Sequence, residues 1–194
     1  MAQDEIGRFK VIAIGGSAGS LHVILTILTA LPSPLAALII IVVHRRNGVD
    51  SILETLLSTR TKLAVKEVED KQPIHINTIY IAPPDYHLLV ENEDCFSLDS
   101  SEKINFSRPS IDVCFESIAA VFGSRVTGIL LSGANADGAA GLAAIRKMGG
   151  YTIVQNPVTA EVDFMPRQAI ALGTPDEIVD AGAMAERILQ QVKE

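Results

Sequence analysis

Three short stretches of this 194-residue chain carry side chains that could do acyl-transfer chemistry. The first is Gly15-Gly16-Ser17-Ala18-Gly19, which fits the pattern GxSxG. Small residues on either side of Ser17 permit a sharp turn from strand to helix, and amides at the start of the helix could hold an oxyanion. A glycine-rich turn whose serine merely caps the helix explains the same residues equally well. The stretch is not a dinucleotide fingerprint, because Ser17 and Ser20 stand where GxGxxG needs glycine. The second stretch is His44, directly after the apolar run IIIVV, at the carboxyl end of an expected strand. His22, His75 and His87 fall in a helix, a polar connection and beside an expected hairpin. The third is Asp137, between VTGILL and GAAGLAAIRKM, where an aspartate is also a good helix cap. Taken together, the three loops present a nucleophile, a base and a carboxylate, the set that acyl transfer requires.

For those loops to meet, their strands must lie side by side. Strand-like runs occur at Phe9–Ile14, Ala36–Val43, Thr78–Ala82, Val126–Leu131 and Tyr151–Gln155, and most are continuously apolar. Such runs fit a sheet covered on both faces. Helical patterns fall at Leu21–Leu31, Asp50–Ser58, Ile111–Phe122, Gly138–Met148 and Ala183–Lys193. The helix from Ile111 repeats its apolar residues in steps of four, three and four after a Ser110 cap. The alternation predicts an α/β fold, a doubly wound, mainly parallel sheet with helices on both faces. Residues 63–98 break the rhythm with AVKEV, TIYIA, HLLVE and CFSL, which predicts a small antiparallel hairpin at the sheet edge.

Composition narrows the possible partners. A net charge of −7, with no basic stripe, opposes binding to nucleic acid. The longest apolar run, Leu35 to Val43, is too short to span a bilayer, so insertion into a membrane is not expected. The polar start MAQDEIGR lacks the features of a secretory signal, which predicts a cytoplasmic chain. Cys95 and Cys114 show no metal-binding or redox spacing, so no metal site is expected.

Beyond these loops the chain carries YIAPPDYHL at 80–88, SRPSIDVCFESIA at 107–119, VQNPVTA at 154–160 and FMPRQAI at 164–170. With IGGSAGS, VVH and LLSGANADGAAGL, this ordered series resembles the catalytic domain of the chemotaxis receptor methylesterases, the protein-glutamate methylesterase family, over nearly the whole length. The resemblance implies a Ser17, His44, Asp137 triad, and hydrolysis of glutamyl methyl esters on receptor cytoplasmic helices with related deamidation of glutamine. It implies no cofactor. It also implies that Ala18, after the nucleophile, and Ala134, in the aspartate loop, border the reacting carbonyl.

The chain departs from the family at several positions. Val43 and Arg45-Arg46 flank the histidine where Gln and Met-Pro are usual, and Ala134-Asn135 replace a Met-Gly pair. All 194 residues read as one catalytic domain with a polar tail at 1–8, and no receiver domain is expected on this chain, which leaves a separate response regulator as a partner. Arg45 and Arg46 are expected to border the cleft, either as a solvated loop or as docking charges for a glutamate-rich helix. Three alternatives stay open: a pseudoenzyme that binds receptors, a patatin-like lipase that needs no histidine, and an esterase of another substrate.

Overall fold

The computed structural model describes residues 9–45 and 52–193. Seven strands form one parallel sheet: β1 (Lys10–Gly16), β2 (Ala37–Val43), β3 (Ala64–Glu67), β4 (Thr78–Ile81), β7 (Val126–Leu130), β8 (Tyr151–Gln155) and β9 (Glu177–Val179). Their order across the sheet is β3-β4-β2-β1-β7-β8-β9. The chain builds outward from β1 to one edge, then returns to β7 on the other side of β1 and builds to the opposite edge. Such a reversal opens a crevice at the carboxyl ends of the central strands.

Side-chain alternation in β1 shows why the sheet is covered twice. Val11 and Ala13 join one buried cluster with Leu38, Phe115 and Leu142, whereas Ile12 and Ile14 join another with Ile24, Leu28 and Ile188. The first face carries α3 (Ile111–Phe122), α4 (Ala139–Lys147) and α5 (Phe164–Ala171). The second carries α1 (Ser20–Ala30), α2 (Leu53–Ser58) and α6 (Met184–Lys193). Each fully buried Ile or Leu contributes about 1.5–3 kcal/mol, so the sheet core is the rigid base from which the loops project.

The expected small antiparallel hairpin is present, but as a separate sheet and not at the edge of the parallel one. Among the described residues, β5 (His87–Asn92) and β6 (Cys95–Asp99) are the strands that pair antiparallel, as a separate two-stranded sheet. The AVKEV stretch is instead the parallel edge strand β3, in register with β4 from Ala64–Thr78 to Glu67–Ile81. The hairpin packs on α3 through Leu88, Val90 and Phe96, and the Val90 amide donates to the Ser117 hydroxyl at 3.1 Å. The first residue of the expected second helix, Asp50, lies outside the described residues.

Candidate active site

β1 and β2 run in register with Gly16 opposite Val43, and the His44 amide donates to the Gly16 carbonyl at 3.3 Å. Parallel strands lie about 4.8 Å apart, so Ser17 and His44 leave neighbouring strand ends side by side. On the other flank of β1, the Leu131 amide donates to the Gly15 carbonyl at 2.9 Å, and the loop from Ser132 to Gly138 begins there. The three loops therefore share one crevice.

Within it, His44 Nε2 lies 2.7 Å from Asp137 Oδ2, and Asp137 is fully buried. The same oxygen accepts the Ile111 amide at 2.7 Å, while Oδ1 accepts the Ser110 hydroxyl at 2.7 Å and the Asp112 amide at 3.1 Å. Burial alone would push this carboxyl up, but the hydrogen bonds from His44, Ile111, Asp112 and Ser110 outweigh it and hold the carboxyl below its ordinary value. An ionised acceptor requires Nε2 to carry the hydrogen, which leaves Nδ1 as the basic nitrogen. The Ser107 hydroxyl lies 3.5 Å from that Nδ1 and takes a hydrogen bond from Asn135 Nδ2 at 3.3 Å.

Ser17 is anchored by its backbone. Its amide donates to the Ser132 carbonyl at 2.9 Å, and its own carbonyl accepts the Ser20 amide at 3.1 Å and the Ser20 hydroxyl at 2.8 Å. Among the described residues its side-chain hydroxyl makes no hydrogen bond. The sharp turn passes through Gly19 at φ 78°, where an added Cβ would meet Glu161 Cβ at 2.5 Å. Ser132 closes the turn from the far side, its hydroxyl reaching the Ala18 carbonyl at 2.7 Å.

Neither helix-capping explanation describes these loops. Helix α1 follows Gly19 with no side-chain cap, and α4 follows Gly138 at φ 100°, also without one. The α4 amides of Gly138 and Gly141 are served by Asp112 Oδ1, at 2.8 and 2.7 Å. The two helix starts thus trade acceptors: the first turn of α3 holds Asp137, and Asp112 from that turn holds the first turn of α4. Burial first, and then the neighbouring charge of Asp137, push the Asp112 carboxyl up to about 6 against the pull of those amides.

Ala18 and Ala134 are both exposed at the crevice loops, and among the described residues neither amide N–H has an acceptor. Arg45 corrects the expectation placed on it. Its side chain is only 4% exposed, ion-paired with Glu67 of β3, and it donates to the Ala82 carbonyl at 2.8 Å. Its charge belongs to the sheet edge and not to a solvated docking loop, because a buried guanidinium requires partners. Arg46 lies outside the described residues. Among the described residues no group of three or more His, Cys, Asp or Glu could hold a metal ion, and no helix is long and apolar enough to cross a membrane.

Sequence reasoning gave no role to Ser107, Asp112, Ser132 or Asn135. It set His87 aside, yet this buried imidazole supports the site: Nδ1 accepts the Ser110 amide at 3.1 Å and Nε2 donates to the Glu102 carbonyl at 2.9 Å. The stretch SRPSID held two of these residues, Ser107 and Asp112, but its polar pattern signals only a helix start, and partners 25 or more residues away leave no local trace.

Comparison with known proteins follows the same lines. The family described as CheB methylesterase matches residues 12–188. The chain belongs to the CheB methylesterase family. A protein of Leptospira interrogans (strain Fiocruz L1-130), provisionally named protein-glutamate methylesterase/protein-glutamine glutaminase, is 40% identical over 183 residues, covering 94% of this chain and 95% of that one. The protein-glutamate methylesterase/protein-glutamine glutaminase of Symbiobacterium thermophilum is 33% identical over 98% of this chain, which spans 52% of that relative. The crystal structure of the Thermotoga maritima CheB methylesterase catalytic domain superposes with a TM-score of 0.90 at 32% identity, over 95% of this chain and 99% of that one. This CheB family member therefore shares the overall fold of that domain.

Proposed function

We propose that this chain is a serine hydrolase that removes methyl esters from glutamate side chains of chemoreceptor cytoplasmic helices, and that it deamidates glutamine by the same route. The observation that carries the proposal is the 2.7 Å contact between His44 Nε2 and buried Asp137, one strand away from an unbonded Ser17 hydroxyl. The Ser17 Oγ attacks the γ-carbonyl while His44 Nδ1 takes its proton. The oxyanion faces the open amides of Ala18 and Ala134. Collapse expels methanol, or ammonia from glutamine, with the proton returned by His44, and leaves a Ser17 acyl ester. Water, deprotonated by Nδ1, then releases glutamate. Asp137 keeps the hydrogen on Nε2 throughout, so Nδ1 stays competent as the base.

The test is methanol release from methylated receptor membranes, comparing wild type with Ser17→Ala and His44→Ala. Loss of nearly all release in both variants is expected. Full activity in Ser17→Ala would move the nucleophile to Ser107, whose Oγ stands 3.5 Å from the basic nitrogen. Full activity in His44→Ala would replace the triad with a mechanism that needs no histidine. Absence of release in wild type, with receptor still bound, would make the chain a binding protein.

A further inference from the structure

A cavity of about 520 Å³ adjoins His44, lined by Arg45 after β2, by Asp85 after β4 and by residues ahead of α3. Its outer wall is the segment 103–108, and three cations line it against one carboxylate, Asp85. Arg45 is committed to Glu67. Arg108 and Lys103 are not so committed: among the described residues no carboxylate lies within ion-pair distance of either. Arg108 holds its own loop through Nη1, which donates to the carbonyls of Ser100 and Ser101 at 2.8 and 2.6 Å. Its Nε is sealed inside the protein without a hydrogen-bond partner, whereas Nη2 makes no hydrogen bond among the described residues and is not sealed in. Nη2 therefore remains as a charged donor that a carboxylate oxygen can reach from the cavity, and hydrogen bonds between a guanidinium and a carboxylate are among the strong ones. Phe106, 98% exposed beside it, offers an apolar surface for the stem of an acidic side chain.

We propose that this cavity is a carboxylate subsite, in which Arg108 and Lys103 hold an acidic side chain of the substrate helix about one turn from the scissile ester. Residues three or four apart on a helix stand about 5–6 Å from each other, so a helix that presents its ester to His44 carries a neighbouring side chain toward the cavity that His44 also lines. A chain of net charge −7 otherwise repels an acidic helix, so local cations at the cleft decide whether such a substrate docks. The identity of the ester rests on the methylesterase proposal, whereas the anion subsite rests on the cavity.

The experiment uses two helical peptides, identical except for Glu or Gln one turn from the central residue. Each is made as the γ-methyl ester for turnover and as the free glutamate for binding by fluorescence anisotropy. Wild type is expected to favour the Glu-flanked peptide by roughly tenfold or more in both Kd and kcat/KM, with the preference shrinking at higher salt. Arg108→Gln should bring the ratio near one, Arg108→Lys should restore part of it, and Lys103→Gln, at an exposed position, should lower it without disturbing the loop. Equal affinity of wild type for both peptides, or equal loss on both in Arg108→Gln and Lys103→Gln, overturns the subsite. A binding preference that depends on Arg108, without methanol release, keeps the subsite and overturns the ester chemistry. Methanol release with no preference does the reverse.

Discussion

Replacing Asp137 with Asn tests the centre of the site, because each carboxylate oxygen accepts two donors: His44 and Ile111 on one, Ser110 and Asp112 on the other. An amide offers one oxygen and one NH2 in the same space. If the NH2 faces His44, the Ile111 amide loses its acceptor and Nε2 must accept, which moves the imidazole hydrogen to Nδ1 and blocks the base. If it faces Ser110, that hydroxyl can turn to accept, but the Asp112 amide is left unpaired. Either arrangement strands one buried amide, which costs about 1–3 kcal/mol. For a domain of this length the melting temperature should fall by roughly 3–10 °C. Turnover should drop on the order of 10³–10⁴-fold in the first arrangement, the scale seen when a triad base is held in the wrong tautomer, and less in the second, which leaves the Nε2 hydrogen its acceptor. Methanol release and thermal unfolding, measured together on Asp137→Asn and Asp137→Ala, read both effects. Activity within tenfold of wild type in Asp137→Ala, or an unchanged melting temperature in either variant, would refute the role assigned to this carboxylate.

Three further outcomes follow from the same contacts. Asp112 is pushed up to about 6 when folded, so the native state keeps a proton that the unfolded chain has lost between about pH 4 and 6. Stability should decline as pH rises through that window and level off above it. Asp112→Asn keeps an acceptor for Gly138 and Gly141 and should flatten this slope in urea unfolding at pH 4.5, 5.5 and 6.5; an unaltered slope would place the titration elsewhere. Arg45→Ala should lower stability by about 1–3 kcal/mol, because its partners Glu67 and the Ala82 carbonyl are left behind, and an unchanged urea midpoint would return Arg45 to solvent. Gly138→Ala adds a Cβ 2.4 Å from Leu130 Cδ1 at φ 100°, and should cost about 2–4 kcal/mol and reduce turnover by displacing the adjacent Asp137; an unaltered melting temperature would show that the turn can relax.

The central strands were legible in the sequence because burial on both faces writes itself as unbroken apolar runs, as in Ala37–Val43. The helix Ile111–Phe122 and its Ser110 cap were legible for a similar reason, a strong local period with a local start signal. Edge elements were not. β3 alternates exposed and half-buried residues like a hairpin strand, and β9 has only three residues, too few to show a period. Helix α5 hides behind Pro166, tolerated because it falls in the first turn, where its missing amide has no partner to lose. In the site, side-chain types marked Ser17, His44 and Asp137, since each ends or follows a strong strand. Arg45 lines the cavity beside His44, but its burial was not legible, because its neighbours suggest a loop while Glu67, which binds it, lies 22 residues away. Asp112 looked like an ordinary acidic residue in a first helical turn, and only the packing of α3 on α4 gives its carboxylate work.

The trade of acceptors between α3 and α4 bears on how the enzyme is lost under stress. Neither Asp137 nor Asp112 can leave its place while the two helix starts stay docked, and both helices are built into the buried cluster beneath the sheet. Local opening of the acid loop is thereby tied to loss of that whole face. Amide hydrogens of Ile111, Asp112, Gly138 and Gly141 should exchange with solvent only at the global unfolding rate. Inactivation in denaturant should then coincide with the cooperative transition instead of preceding it, so the Asp137 carboxylate also serves as a lock on the fold.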